Sequence, residues 1–360
     1  PLYLTCARFR SSPQKIELMT RKILVLSILF SAFLLFNTNS SFAAGSEEDK
    51  TSFIMHHVKD SHEWHFATFG HTHVTLPLPV IVYSSDRGLE FFSSTDFQNH
   101  DTHAFGKEYA HEGYYIDEHD HLGRVDGASF IELSITKNVV MMFIVMFVLA
   151  YVALSAANHY KKNGAVAPKG AAALIEPIVI FVRDEIAEKS IGPKYKKFVP
   201  YLITLFLFIW FGNLLGLLPG AANLTGNIAV TMTLAVLTFI ITNVNGNKDY
   251  WKHVFATPGV PIPMLLIIVP VEIIGLFTKP FALMVRLFVA ITAGHIVILG
   301  FIALAFIFES YAIGVVSTLM VTFINIIELL VATIQAYVFT LFTAMYIGGA
   351  VAEHAHDEHH

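Results

Sequence analysis

Two apolar stretches near the C-terminal end constrain this chain more than any other feature. Ile262–Phe308 is 47 mostly apolar residues, and residues 311–346 are 36 more. As straight helices they would be about 70 and 54 Å long at 1.5 Å per residue, against a hydrocarbon core of about 30 Å. Either each folds into two passes, or each is one long, steeply tilted helix. Pro270 and Pro280 offer kinks in the first, and length leaves both readings open. Shorter spans precede them: residues 139–157, without a charge, then 201–218 and 228–242, the last two joined by the uncharged turn 219–227 (PGAANLTGN). The whole chain is 54% hydrophobic and 14% charged, where soluble domains carry about 25% charged residues. Its mean hydropathy is +0.59. The expected fold is an all-α polytopic membrane protein with about five transmembrane or membrane-embedded helices. The single cysteine, Cys6, excludes a disulfide framework and a Cys-based zinc site. A net charge of −5 gives no basis for nucleic-acid binding.

Charge placement orients the spans. Residues 158–200 hold eight Lys/Arg against four acids, which belongs in the cytoplasm by the positive-inside rule. Within them, 172–188 alternates apolar and charged residues at helical spacing, as an amphipathic helix at the membrane surface does. Residues 243–258, with Lys248 and Lys252, return to the same side, and so does the polar, His-rich tail 351–360. At the other end, Met19 reads as the true start and 1–18 as an upstream segment. Arg21 and Lys22 precede an apolar run, 23–36, and Ser41-Phe42-Ala43 is a small-x-small cleavage signal. Residues 19–43 are therefore expected to be a signal peptide, with an uncleaved anchor as the competing reading, and the mature N-terminus outside.

Residues 44–130 differ in composition: 15 Asp/Glu, 5 Lys/Arg and 11 His. Turn signals fall at Asp86-Arg87-Gly88, His121-Leu122-Gly123 and Asp126-Gly127, and alternating runs such as 74–82 suggest a few strands. The pairs His56/His57, His71/His73 and His119/His121 are zinc-ligand types. No helical spacing or motif organises them, so a solvated extracytoplasmic head with no metal site is expected, followed by a membrane domain over 131–350.

After Lys252 only two basic residues remain, Lys279 and Arg286, and both lie in the first long apolar run. Glu272 and His295 lie there too, and Glu328 in the next. A charge at the bilayer centre costs about 2.5–3.5 kcal/mol even on the milder scale, so such groups face a pathway or a partner. Snorkelling suits Lys279 and Glu272. It does not suit Arg286, flanked by FALMV and LFVAI. Glu272, Lys279 and Arg286 are seven apart and share one helical stripe. His295, nine beyond Arg286, falls half a turn away unless the helix bends. Glu328 and Gln335 are again seven apart, with Asn325 nearby. Arg keeps its proton under any accessible condition, whereas Glu and His exchange theirs, His near neutral pH. A fixed cation beside a His/Glu track suits a proton path with a positive gate.

Arg286-Leu287-Phe288 followed by Ala293-Gly294 and a titratable residue at 295 resembles the signature of F-type ATP synthase subunit a, Arg-Leu-Phe-Gly-Asn-x-x-Ala-Gly-x. Further agreement comes from Glu272, from Lys279-Pro280, from Asn213-Leu214-Leu215-Gly216-Leu217-Leu218-Pro219, from Ala222-Asn223-Leu224-Thr225 and Ala229-Val230-Thr231, and from Gln335. The likeness covers about residues 130–350. It departs at Val289-Ala290, where the family has Gly-Asn. His295 and Glu328 stand where well-studied bacterial members have Glu and His, as though exchanged, which supports the two being close together. The resemblance implies a non-catalytic stator subunit of the bacterial inner membrane. Its last two helices would be long, tilted and packed against a ring of c subunits, with a b-subunit stator, the rest of the complex and lipid as partners and no cofactor. It implies an outside half-channel with His295, Glu328 and Gln335, a cytoplasmic exit with Glu272, and Arg286 between them. A proton-coupled secondary transporter is the alternative, although no internal repeat supports it.

Overall fold

The computed structural model describes residues 60–69, 72–98, 105–117, 120–164, 170–218, 221–255, 261–308 and 310–352. The segments 1–18 and 19–43, His56, His57, His71, His119 and the tail from 353 lie outside the described residues. In chain order the strands are β1 (Glu63–Phe69), β2 (Thr72–Pro77), β3 (Pro79–Ser84), β4 (Gly88–Ser93), β5 (Tyr114–Ile116), β6 (Leu122–Arg124) and β7 (Phe130–Glu132). The principal helices are α1 (Lys137–Asn163), α2 (Ala171–Ile180), α3 (Val199–Gly216), α4 (Ile228–Val244), α5 (Lys248–Phe255), α6 (Ile262–Phe308) and α7 (Tyr311–Val351). The chain divides into two compact units, residues 1–44 with 67–74 and residues 45–66 with 75–360. Of the first, the described residues are the facing ends of β1 and β2.

Both long apolar runs fold as single helices. α6 continues through Pro270 and Pro280 for 47 residues, and α7 runs for 41. The two-pass reading is therefore set aside. Among the described residues four helices are long and apolar enough to cross a membrane: α1, α3, α6 and α7. α4 qualifies only together with α5, from which it is bent by 105°, so the expected return over 243–258 is a sharp corner followed by a short helix. The amphipathic segment is α2 continued by a π-helical stretch, Phe181–Glu188, and one α turn, Lys189–Ile191. Val182, Ile186 and Ile191 point inward while Arg183, Glu185 and Glu188 are exposed.

The bundle core joins α3, α6 and α7 through Leu202, Ile209, Leu283, Leu287, Phe339 and Ile347. The inward face of α7 carries small residues, Ala332, Ala336, Ala344 and Gly348, all buried. Small side chains let helix backbones approach closely in membranes, where burial against lipid supplies little driving force.

The head is built of short strands, as its alternating segments suggest. β3 pairs antiparallel with β4 (Val80↔Phe92, Val82↔Glu90) and with β7 (Tyr83↔Ile131). β5 and β6 form a hairpin. Val80, Val82, Phe97, Tyr114 and Ile116 are fully buried between them. Gly88 (φ +81°) and Gly127 (φ +71°) confirm two of the three expected turns. The third differs: Leu122-Gly123 is strand, and the left-handed turn residue is Asp120 (φ +63°). Arg124 is buried and pairs with Asp86 and, at 2.8 Å, with Asp126. The Arg124 hydrogen bond holds the Asp86 carboxyl well below the usual carboxylate range. His62 Nε2 meets Glu132 Oε1 at 2.7 Å. Burial pushes the Glu132 pKa up, the His62 bond and charge pull it down, and the balance is downward.

Candidate functional site

Arg286 sits at the middle of α6. It is exposed, and its guanidinium lies 4.5 Å over the Phe342 ring of α7. Among the described residues it has no carboxylate within ion-pair distance. Two turns earlier, exposed Lys279 places Nζ 5.8 Å over the Tyr346 ring. The stripe on α6 thus follows α7 in the antiparallel sense, Lys279 on Tyr346 and Arg286 on Phe342.

Glu272 and Lys279 line one cavity of about 280 Å³, as their shared stripe predicts. Asp249, Tyr250 and His253 of α5 and Tyr346 of α7 complete its titratable lining. Sequence reasoning missed these α5 groups. The available signal was the i,i+4 spacing of Asp249 and His253, which puts both on one face of a helix. The corner that aims α5 inward is held by Asn247, whose N–H and Nδ2 donate to the carbonyls of Ala350 (2.9 Å) and Val351 (2.6 Å) at the end of α7. The Tyr250 hydroxyl donates to Asn243 Oδ1 at 3.1 Å.

Glu328 lies on the other side of Arg286 along α6. It is only 3% exposed, and neither carboxylate oxygen has a hydrogen-bond partner among the described residues. It packs against Gly294: a Cβ there would stand 3.1 Å from Oε1 and 3.2 Å from Cδ. A side chain there would crowd the carboxyl by a few tenths of an ångström. The next residue, His295, is half-buried. The structure therefore places Glu328 against Gly294 of α6, the residue before His295. Gln335 and Asn325 are half-buried on α7, two turns and one turn from Glu328.

A second polar line was not singled out from sequence. Asn213, 2% exposed, accepts a 2.6 Å hydrogen bond from Thr225 Oγ1 and donates to the Ala332 carbonyl at 3.4 Å, one turn from Glu328. Trp210 Nε1 donates to Thr333 Oγ1 at 3.1 Å. Among the described residues no group of three or more His, Cys, Asp or Glu is placed to hold a metal ion. The site holds one fixed cation between a cavity with acids and a buried carboxylate beside an imidazole. That arrangement suits proton transfer.

A model of the ATP synthase A chain matches residues 139–348. Residues 53–139 match a domain of unknown function, DUF8433. ATP synthase subunit a of Chloroherpeton thalassium is 46% identical over 247 residues, covering 67% of this chain and 73% of that protein. ATP synthase subunit a 2 of Prosthecochloris aestuarii is 39% identical over 322 residues, covering 88% and 84%. ATP synthase subunit a of an Anaeromyxobacter species is 40% identical over 331 residues, covering 88% and 74%. The transporter alternative finds no support among these matches.

Proposed function

Because the chain belongs to the ATP synthase subunit a family, and so is the proton-translocating stator subunit of a rotary F-type ATP synthase, we propose that Arg286 is the gate between two half-channels and faces a carboxylate of the c ring. The observation that carries this is the exposure of an unpaired guanidinium at the centre of an apolar helix. A cation in such a place calls for an anionic partner, and no described residue of this chain supplies a carboxylate within ion-pair distance. A ring carboxylate rotating past Arg286 is driven to ionise by the fixed positive charge. It takes a proton on one side and yields it on the other.

The outside half-channel is assigned to His295 and Glu328, with Asn325 and Gln335 along the same helix. The cytoplasmic exit is the cavity holding Glu272 and Lys279. In this reading the head lies outside, the Lys-rich face and the tail lie in the cytoplasm, and the protein spans the bacterial inner membrane. The signal peptide, 19–43, precedes the head, 44–130, and the membrane domain, 131–350. The chain itself makes and breaks no covalent bond. A b-subunit stator and lipid cover the remaining faces.

Arg286→Ala is expected to abolish ATP-driven proton pumping in membrane vesicles while the complex still assembles, as shown by copurification of its soluble ATPase subunits. Normal coupled pumping in that variant refutes the gate.

A further inference from the structure

The base of the head is tied to the starts of two membrane helices through one carboxylate. Asp60 Oδ2 accepts from Thr136 Oγ1 (3.0 Å), just before α1, and from Asn227 Nδ2 (3.1 Å), the N-cap of α4. Asp60 Oδ1 accepts from the Asn138 N–H at 3.3 Å. Next to it, Ser61 Oγ donates to Asp120 Oδ1 at 3.0 Å, and the Ser61 carbonyl accepts from the Lys137 N–H at 3.1 Å. Trp64 packs with Met141 of α1 and with Ala222 below these bonds.

Lys137 connects this group to the transport machinery. Its charge acts on Asp60 and Asp120 and also on His295 of α6. A cation in the first turn of a helix opposes the helix dipole, so its placement there is not explained by stabilising α1. Two buried polar atoms at the same junction have no hydrogen-bond partner among the described residues: Asn138 Oδ1, on a side chain 5% exposed, and His62 Nδ1, on one 3% exposed. Buried polar atoms require partners, and water is the partner that also carries protons. Among the described residues, the other titratable groups of the head near Asp60 and Asp120 include His62, Glu63, Asp117, His121 and Glu132. α4 contributes only the neutral Asn227.

We infer that the base of the head, through Asp60 and Asp120, is the proton-collecting mouth of the outside half-channel that leads to His295 and Glu328. This rests on the assignment of those two residues to that half-channel. The physical reason for such a mouth is kinetic. Protons are scarce at neutral pH, and clefts lined with one sign of charge raise the local concentration and capture rate of the opposite sign by about 10 to 10³. Residues 44–130 carry 15 acids against 5 basic residues, so the head as a whole has the required sign. Acids are most useful where capture limits the rate, and least useful when protons are abundant.

The test uses the complete complex in proteoliposomes, with ATP synthesis driven by a fixed membrane potential while the pH on the head side is varied. Asp60→Asn combined with Asp120→Asn is expected to slow synthesis about tenfold at pH 8 and to leave it close to wild type near pH 5.5. Asp60→Glu retains the wild-type rate at both. Equal rates for the double variant and wild type at every pH overturn the proposal. A pH-independent loss also overturns it, since it marks structural support only. If the double variant does not assemble, Asp120→Asn alone is read against the same two criteria. Glu328→Gln in parallel separates the two assignments. Unchanged synthesis there removes Glu328 from the path, whereas loss there with no pH-dependent effect at Asp60 and Asp120 overturns the mouth alone.

Discussion

Gly348→Ala places one methyl group at a close backbone approach in the bundle. A Cβ at Gly348 would lie 2.0 Å from the Ser190 carbonyl oxygen, 2.9 Å from its carbon and 3.3 Å from Ile191 Cα. Ordinary contact begins near 3.4 Å, so α7 and the turn Lys189–Ile191 must separate by about 1.4 Å, which a close-packed interior resists. Both obstacles are backbone, and no rotamer change relieves them. Overpacking costs about 1–3 kcal/mol, and the absence of a flexible neighbour puts this case at about 3. At about 2–4 °C per kcal/mol, thermal unfolding in detergent should fall by roughly 6–12 °C. The adjacent Gly349 is the control, because a Cβ there meets nothing within 4 Å. Gly349→Ala should be neutral or stabilising by up to about 1 kcal/mol from helix propensity. Met345, Tyr346 and Gly349 line the Glu272 cavity, so Gly348→Ala should also slow ATP-driven pumping. The assay is differential scanning fluorimetry of the two purified variants beside wild type. Equal midpoints for Gly348→Ala and Gly349→Ala refute the close approach.

The head should respond to acid through Asp86. Its folded pKa is depressed, so its pairing with Arg124 contributes fully above the ordinary value of 3.8 and is lost as pH falls below it toward the lowered value. Near-UV circular dichroism of Trp64 and Tyr114 should therefore change in wild type below about pH 4, while Arg124→Met lacks this dependence; matching acid profiles refute the pairing. In the bundle, Asn213→Ala leaves the fully buried Thr225 hydroxyl without its acceptor and should cost about 1–3 kcal/mol. Adding Thr225→Val should recover part of that loss in the same melting experiment. A double variant less stable than Asn213→Ala alone contradicts the bond.

The span count and the charged stripe are legible in the sequence because both depend on composition and on the 3.6-residue period. Glu272 and Lys279 share a cavity for that reason. The contact of Glu328 with Gly294 depends instead on which α7 residue faces that glycine, and helices apolar on every side do not reveal their facing residues. The α5 contribution is hidden by the 105° corner, since no local pattern in eight residues states which way the chain turns. In the head, Leu122-Gly123 looked like a turn because glycine often marks one. Here Gly123 is strand instead, and its missing side chain makes room for the Tyr115 ring, which a Cβ would meet at 2.6 Å.

The choice between one long helix and two passes was open on length, yet a physical criterion closes it. A reversal inside residues 262–308 would expose several backbone N–H and C=O groups at membrane depth, each costing several kcal/mol without a partner. Pro270 lies between Val269 and Val271 and Pro280 between Lys279 and Phe281, so only a few polar side chains, Glu272, Thr278 and Lys279, stand near either proline to satisfy them. α7 starts where the Ser310 carbonyl accepts the Gly314 N–H at 2.9 Å. The two helices run 47 and 41 residues. Both are longer than a core of about 30 Å requires, an excess that a membrane helix accommodates by tilting.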